Sequence, residues 1–494
     1  MKKLLVVPIL LLSLTLGATN YYVKTGGNDG LAGTSDATAW ATLTKVQSST
    51  FSAGDSILFR RGDTFRGSLY RNNEDGTPTN WIYWGAYGTG AKPKILGAKD
   101  ISATGDWTNH SGNIWKTTAT LGTVQDDISN LIFNNEAFCG YKKKYIDSLN
   151  AQGKFFYNPA DNILYLYSAS NPGTFYTHIE AAGHHDLRQG LCYWISCDYI
   201  HIADLDVRYS SGAGIETHTG NVFIIERCDV SWIGGEWLLS DLGDLRRLGN
   251  GISLIQSNDS ITVRNCHAHQ CFDAGISPQY WSASMSMTNM WMYNNVVTNC
   301  WYSYETWAGT GITLSNVHFY NNTCIGAGDC WSGTILQRPD PDGASHILIH
   351  TLVGTVSDLT VRNNILINST HFGYKVNNNV SKLTADYNVI LCDTVAYLNE
   401  TNKYTTLAAW VSAATQDAHS IDDDPLFVST TDFNLQSTSP AKDTGVQLGL
   451  TTDYAGTTRG YLPDIGAYEI EDIKLPTLNG AVIIIGGKLQ TIRK

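Results

Sequence analysis

The chain has 494 residues, of which only 16% are charged, while glycine and aromatic residues are abundant. This composition predicts a β-rich, turn-rich protein, and the length allows one large domain or two to three ordinary ones. The net charge of −12 and the absence of a basic stripe argue against a nucleic-acid partner.

The first 18 residues have the pattern of a secretory signal peptide. Lys2 and Lys3 form a charged start, Leu4–Leu16 is apolar, and the small residues Gly17 and Ala18 follow. The apolar run is too short for a membrane span, and no later segment reaches about 18 apolar residues. We therefore expect a secreted protein, extracellular or periplasmic, with no integral membrane segment in the mature chain.

Residues 19–470 are predicted to form one solenoid with an irregular early part and a short tail. Residues 70–182 lack clear repeats, which indicates early coils with a β-rich insertion. Within them, KFFYNPADNILYLYS (Lys154–Ser168) predicts a hairpin, because two alternating runs flank a turn-forming centre. Residues 471–494 are expected to be a strand-containing tail, in which Ala481–Gly487 is far too short to span a membrane.

The region after residue 195 repeats one short pattern. Apolar residues at a period of two are followed by a polar turn, and three of these turns contain an asparagine pair. We call the second residue of the pair, or the residue in its place, position zero. The base period is about 23–29 residues, and two longer intervals indicate loop insertions. The seven zero positions are Leu205, Cys228, Cys266, Asn295, Asn322, Asn364 and Asn388.

Repeats of this length that contain only strands and turns predict a solenoid whose coils stack about 4.8 Å apart. Equivalent turns then lie above one another, and their asparagine side chains form a column. An amide has donor and acceptor groups, so it bonds along the column and also satisfies the backbone of the turn. Cys228 and Cys266 are expected to continue this column as small buried residues.

The ten cysteines are too few for a disulfide scaffold in a chain of this length. Three pairs are close enough in sequence to bond in an oxidising compartment, which spacing alone does not decide. These pairs are Cys192 with Cys197, Cys266 with Cys271, and Cys324 with Cys330. No pair has the spacing of a zinc site.

An asparagine ladder in coils of this length resembles the right-handed parallel β-helix of pectate-lyase-like proteins. Tyr21–Val46 followed by Ala53–Gly67 looks like the opening of many secreted bacterial β-helix proteins, and Asp423–Gly445 with Pro463–Glu469 looks like their closing coils. The resemblance spans roughly residues 21–470. It implies an all-β, right-handed parallel β-helix solenoid with loop insertions. Members of this group include glycoside hydrolases, polysaccharide lyases, epimerases and phage spikes, so the resemblance implies a fold rather than one activity.

The resemblance also implies that a glycan binds in a groove beside the longest loops. The two insertions, Gly234–Gly251 and Gly328–His346, are rich in residues that serve in catalysis and binding. Between them lie Phe272–Trp281 and Trp301–Gly309, which add acidic and aromatic residues. Four consecutive coils are therefore expected to bring such residues to one region.

Counting seven residues beyond position zero selects Asp273, Tyr302, Asp329 and His371, which are then expected on successive coils. The backbones of Asp273 and Asp329 would lie roughly 10 Å apart. Tilted side chains would bring their carboxyl groups near the roughly 6.5–9.5 Å separation of an inverting glycosidase. Glu305 is added to this set. Side chains alternate along a strand, so Glu305 is expected to point away from the core when its neighbour Tyr304 points inward. The simpler alternative is that each aspartate only caps a turn.

These five residues are the predicted catalytic set, and the carboxylate pair is drawn from Asp273, Asp329 and Glu305. Arg338 has two interpretations, since it would hold a substrate carboxylate or sulfate, or form an ion pair with a nearby aspartate. The tryptophans are either sugar-stacking platforms or core residues. The predicted substrate contacts are Arg338, Trp281, Trp307, Trp331, Gln279 and Gln337.

Three functions compete. The leading one is a secreted glycoside hydrolase that cleaves a polysaccharide or oligosaccharide without a cofactor or metal. The first alternative is a polysaccharide lyase acting on uronic-acid polymers, in which Arg338, Lys375, His371 and Tyr302 supply the neutralising charge and the base. Only this alternative would use Ca²⁺, and the acidic net charge argues against it. The second alternative is a glycan-binding or adhesive solenoid without catalysis.

Overall fold

The computed structural model describes residues 17–121, 127–183, 190–237, 247–256, 258–334, 343–352, 354–377, 380–471, 482–485 and 488–491. The predicted signal peptide therefore lies, apart from its last two residues, outside the described residues. Within the described ranges, no helix is long and apolar enough to cross a membrane.

Three long parallel sheets wind into a right-handed parallel β-helix, which confirms the predicted fold. We number the sheets in the order in which each coil meets them. The first sheet contains Leu69–Asn72, Cys192–Ile195, Ile215–His218, Ile252–Ile255, the starts of Ala274–Tyr293 and Tyr302–Tyr320, Ser345–Leu352, Phe372–Val376, Ala396–Leu398 and the antiparallel Asn402–Tyr404.

The second and third sheets follow in each coil. The second contains Asn20–Val23, Ser56–Arg60, Ile82–Tyr87, Asp198–Ala203, Asn221–Glu226, Asn258–Arg264, the ends of Ala274–Tyr293 and Tyr302–Tyr320, Thr355–Arg362 and Leu383–Asp386. The third contains Thr64–Arg66, Lys94–Leu96, Asp206–Arg208, Asp229–Ile233, His267–Cys271, Val296–Thr298, Thr323–Ile325, Ile365–Ile367 and Val389–Leu391.

The core is a stack of apolar side chains inside the coil. Alternate residues of each strand point inward, so register partners on successive coils lie above one another. In the second sheet, Phe223, Ile261, Met290, Val317 and Leu359 form one such stack, and each is fully buried. Burying each of these side chains contributes about 1.5–3 kcal/mol.

The second asparagine of each pair forms a hydrogen-bonded column inside the turn. Asn295 Nδ2 donates to Asn322 Oδ1 (3.1 Å), Asn322 Nδ2 to Asn364 Oδ1 (2.9 Å), and Asn364 Nδ2 to Asn388 Oδ1 (3.1 Å). The backbone N–H of Cys266 donates to Asn295 Oδ1 (3.0 Å), so this cysteine adjoins the column as expected.

The first asparagine of each pair has a different role. Asn294, Asn321 and Asn363 have φ of 53°, 49° and 54°, a left-handed conformation that asparagine tolerates better than most residues. Their side chains point outward and bind the backbone of the C-terminal segment, which comprises residues 421–470. Asn294 donates to Thr452 O (2.8 Å), Asn321 to Asp464 O (3.1 Å) and Asn363 to Val446 O (2.8 Å).

A β-rich insertion interrupts the solenoid between Leu96 and Cys192. Regular coil strands are already present from residue 69 to 96, so the interruption begins later than residue 70. Lys154–Asn158 and Ile163–Tyr167 form the predicted antiparallel hairpin. The insertion contains a four-stranded sheet of Ala98–Asp100, Asn130–Phe133, Phe138–Cys139 and Ile179–Ala182. It also contains a five-stranded sheet of Trp107–Ser111, Ile114–Thr117, Tyr141–Lys142, Lys154–Asn158 and Ile163–Tyr167.

Helices are short, and the longest closes the last coil. Trp410 of Leu407–Ala414 is fully buried and stacks on Tyr374 at 5.7 Å. Its indole donates to Asp417, which also accepts from Asn388 and so ends the asparagine column. The other helices are Leu43–Gln47, Pro172–Phe175 and Trp331–Thr334, with 3-10 turns at Asp36–Thr38, Thr104–Asp106, Ile146–Ser148 and Val380–Lys382.

Two small antiparallel strand pairs lie outside the long sheets. Glu236–Trp237 pairs with Arg247–Leu248, and Val482–Ile485 pairs with Lys488–Thr491. The second pair lies within residues 471–494, for which a strand-containing tail is predicted. No disulfide bond links any of the ten cysteines, all of which lie in the described ranges, so none of the three sequence-adjacent pairs is a disulfide.

Candidate active site

The outer face of the first sheet carries a row of buried side chains, which we call the outer row. Its members alternate with core residues, so they point away from the interior of the coil. A side chain on the outer face of a sheet is ordinarily accessible, yet each of these is at most 5% exposed. In coil order the outer row is Glu216, Ser253, Ser277, Glu305, Leu348 and Lys375.

Glu305 is at the centre of the outer row. Its Oε1 accepts a hydrogen bond from Trp307 Nε1 at 2.6 Å. An indole N–H can only donate, so this bond favours the ionised carboxylate. Trp307 in turn lies flat against His350, with ring centroids 3.7 Å apart and an angle of 3°. The stacked rings form a flat wall beside the carboxylate, and Gln279 is the half-buried neighbour of Trp307 on the preceding coil.

Tyr302 packs close to Glu305. It is 3% exposed and belongs to an apolar cluster with Trp301 and Leu348, the register partner of Glu305. Lys375 is two coils from Glu305, a backbone separation of about 10 Å, and is also 3% exposed. Glu305, Tyr302 and Lys375 therefore share one covered region of the outer face.

Asp273 lies at the edge of this region. It is 5% exposed, and its carbonyl accepts hydrogen bonds from the backbone N–H groups of Trp301 (3.0 Å) and Tyr302 (3.3 Å). Asp273 is thus one coil from Tyr302 and Glu305. Backbone spacing along and across the strands puts it roughly 14 Å from Glu305 at the α-carbons, with Tyr302 between.

The expected row of four residues is only partly correct. The strands that follow these turns are in register, with Ala274, Tyr302, Ser345 and Phe372 stacked on successive coils. The residues that precede them, and that stack on Asp273, are therefore Trp301, Ala344 and His371. Tyr302 is shifted by one position, since the turn that precedes it is one residue shorter. Asp329 is not in the row, because an insertion separates it from the next strand and leaves it exposed in a turn.

Two other predicted residues have local partners. His371 is exposed, and its Nδ1 is 2.9 Å from Thr370 Oγ1. Trp331 is 2% exposed, packs on Phe272 at 5.1 Å and donates to Gln270 O at 3.1 Å. The packing of Trp331 makes it a core residue, so the sugar-platform interpretation is wrong for it.

The side chains of three predicted substrate-binding residues lie outside the described part of the structure. Arg338 and Gln337 lie outside the described residues. The backbone of Trp281 is part of the strand Ala274–Tyr293, but its side chain is also outside the described part.

Glu216 is a member of the outer row that is not among the residues predicted from the sequence. It is 3% exposed, and burial raises the pKa of its carboxyl group to about 8. A count of eleven residues beyond position zero, instead of seven, selects Glu216, Ser277 and Lys375, all of which belong to the outer row. This longer count reaches the outer row from three of the seven zero positions, so it is a partial signal in the sequence.

One group of potential metal ligands lies away from the outer row. Asp100, His178 and Glu180 have ligand atoms within 4.8 Å of one another. Arg66 already forms a two-bonded ion pair with Glu180 at 2.7 and 2.8 Å. A guanidinium at this place supplies the positive charge that a metal ion would bring, so the group is an ion-pair network.

The chain matches no family model and no curated protein. It shares its fold with the structure of XylC in complex with xylose, at a TM-score of 0.50 and 14% identity over 77% of this chain and 66% of that one. A second structure, described as a glycoside hydrolase, has a TM-score of 0.50 and 9% identity over 77% and 95%. Pectate lyase Pel9A has a TM-score of 0.42 and 11% identity over 92% and 97%.

Proposed function

We propose that the protein is a secreted carbohydrate-active enzyme, and specifically a glycoside hydrolase whose polysaccharide or oligosaccharide substrate lies along the outer row. The observation that carries this proposal is Glu305, a buried carboxylate on an outer sheet face beside the stacked rings of Trp307 and His350. The signal-like start of the sequence supports the same proposal, as do the xylose complex of XylC and the glycoside hydrolase that share the fold.

The two carboxylates would divide the chemistry. The Trp307 hydrogen bond favours an ionised Glu305, which suits a nucleophile or a base that activates water. Asp273, on the adjacent coil, would protonate the glycosidic oxygen. Tyr302, packed between them, would orient the sugar ring, and the flat Trp307–His350 pair would contact its apolar face. Exclusion of water by the buried row would strengthen these interactions.

Substitution of the two carboxylates tests the proposal. Glu305→Gln and Asp273→Asn should each lower kcat/KM by about 10²–10⁴-fold, because each removes one proton-transfer or nucleophilic group. The measurement is release of reducing ends from a panel of neutral and acidic polysaccharides, with thermal melting to verify folding. Asp329→Asn is the matched control and should retain full activity, since Asp329 is exposed in a turn. A Glu305→Gln enzyme as active as wild type would reject the proposal.

Lys375 favours a second candidate, a polysaccharide lyase. A buried ammonium group in the row of Glu305 would neutralise a uronic-acid carboxylate, and Tyr302 would take the C5 proton, with Ca²⁺ as an added cation. Lys375→Met separates the candidates, because it should abolish a lyase and leave cleavage of neutral glycans largely intact. Ultraviolet absorbance of an unsaturated product would identify the lyase directly.

A further inference from the structure

Glu216 is a buried carboxyl group that has no hydrogen bond or ion pair with any residue that the structure describes. It is 3% exposed, and desolvation is the sole cause of its raised pKa. Burial of a polar group without a partner is costly, so such groups usually have a functional reason. Core packing does not explain Glu216, since its neighbours in sequence, Ile215 and Thr217, fill the interior positions.

Aromatic and imidazole groups surround this carboxyl on the outer face. His218 follows on the same strand and face, and its buried Nδ1 has no hydrogen-bond partner within the described ranges. Tyr193, on the preceding coil, is the register partner of Glu216, and its ring is 6.0 Å from His218. Tyr70 lies one coil further, 5.6 Å from Tyr193 and 40% exposed.

These groups suit an uncharged sugar. With its pKa raised to about 8, Glu216 is protonated near neutral pH and offers one donor and one acceptor to vicinal hydroxyl groups. His218, whose pKa burial lowers, is neutral and offers the same pair. Tyrosine rings pack against the apolar faces of sugar rings. A neutral carboxyl and a neutral imidazole provide no charge for a carboxylated or sulfated ligand.

The position of the cluster relates it to the proposed active site. Three coil steps, through Ser253 and Ser277, separate Glu216 from Glu305, or about 14 Å along the outer row. A monosaccharide or disaccharide is too short to contact both. A ligand that reaches both ends is therefore an extended chain parallel to the axis of the solenoid.

We infer that Tyr70, Tyr193, Glu216 and His218 form a remote sugar subsite, and that the ligand is an oligosaccharide or polysaccharide of uncharged sugars that spans from this subsite to Glu305. The inference rests on the proposed function only for the Glu305 end of the chain. Binding at the remote subsite is measurable without catalysis.

Calorimetric titration of Glu305→Gln protein with xylo- and cello-oligosaccharides of increasing length tests the inference. Affinity should rise with length, and a second substitution, Tyr193→Ala or Glu216→Ala, should weaken binding of the long oligosaccharides at least fivefold. Tyr193→Phe and Glu216→Gln should bind as the parent does, because the ring and the neutral donor–acceptor pair remain. Tyr397→Ala is the matched control, a tyrosine beyond Lys375 at the opposite end of the same face.

The pH dependence of oligosaccharide binding is an independent test of the subsite. Binding by the parent should weaken as pH rises through about 8, where Glu216 ionises, and the Glu216→Gln variant should not show this loss. Long oligosaccharides that bind Tyr193→Ala and Glu216→Ala as tightly as the parent would overturn the subsite. Binding of oligogalacturonates instead of uncharged chains would overturn the ligand class. Wild-type protein that binds these chains but cleaves none would refute the proposed hydrolysis and leave the subsite standing.

Discussion

Two glutamates on the same sheet face have opposite electrostatic surroundings. Glu305 accepts a hydrogen bond from an indole N–H, which favours its charged form. Glu216 has no such donor in the part of the chain that the structure describes, and desolvation keeps it protonated near neutral pH. The outer row thus contains one carboxyl group that accepts a hydrogen bond from an indole and one whose protonated form is favoured by burial.

Glu216 should make the protein less stable as the pH rises from about 4.5 to about 8. Its pKa is about 8 in the folded protein and near 4.5 when unfolded, so the folded state binds the extra proton between these values. Stability should therefore fall as pH rises from about 4.5 through 8 and then level off. The melting temperature of Glu216→Gln should fall less over this range, as measured by circular dichroism. Parallel pH profiles for the two proteins would contradict the assignment.

The outward direction of Glu305 could be predicted from residue parity, because Tyr304 beside it is a core residue at 1% exposure. Asp273 and His371 occupy equivalent positions on their coils, as the count from position zero predicts. Tyr302 and Asp329 could not be placed in this way, since the count assumes that every turn has the same length. Loop length depends on local packing and carries no periodic signal.

At the scale of the element, the asparagine pair performs two tasks with one residue type. The second asparagine satisfies buried backbone along the column, and the first binds the C-terminal segment from outside. Asn322 illustrates the first task, since its Nδ2 also donates to Met292 O at 2.9 Å and its Oδ1 accepts from the backbone N–H of Asn295 at 2.9 Å. Asn321 illustrates the second.

Asn322→Ala should destabilise the protein by at least about 1–3 kcal/mol for each buried group left without a partner. Four hydrogen bonds involve the side chain of Asn322, so the total effect should exceed that of an ordinary polar-to-alanine change. Urea unfolding is the measurement. Asn402→Ala on the exposed edge strand is the control and should change the free energy of unfolding by less than about 0.5 kcal/mol. Equal effects would contradict the role of the column.

The repeated coils from Leu205 to Asn388 were predictable because their turns carry small or amide residues at one position. Early coils are expected within residues 70–182, but the sequence does not locate the strands Leu69–Asn72, Ile82–Tyr87 and Lys94–Leu96. Their turns lack the asparagine, and the long insertion before Cys192 hides the repeat period. Strand pairing across such a gap is a tertiary property that local patterns do not encode.

At the scale of the whole molecule, the C-terminal segment closes the outer face of the third sheet. Leu435 and Ile465 pack on Ile365, Ile367 and Val389, which would otherwise form an apolar patch on that face. The segment is also held by a buried ion pair. Arg459 donates to Glu469 at 2.9 Å and to Asn294 Oδ1 at 2.8 Å, and its side chain is 1% exposed.

Glu469→Ala should therefore destabilise the protein by about 3–5 kcal/mol, because it leaves the buried Arg459 charge without its partner. The loss should appear as a lower melting temperature and as faster proteolysis within residues 421–470. Lys442→Ala, which removes the Lys442–Asp443 pair with its exposed aspartate, is the control and should change neither measurement appreciably. Unchanged proteolysis of Glu469→Ala would show that apolar packing alone holds the segment.

The outward-pointing asparagines also limit where the solenoid can gain coils by duplication. The C-terminal segment bonds to Asn265, Asn294, Asn321 and Asn363, which stand on four successive coils. A coil duplicated between the first and last of these would preserve the inner column but move the outer contacts apart by about 4.8 Å. The segment also bonds to the backbone of Asn388 through Ile421, so it spans the coils from Asn265 to Asn388 and restricts lengthening of the solenoid by duplication to coils before Asn265.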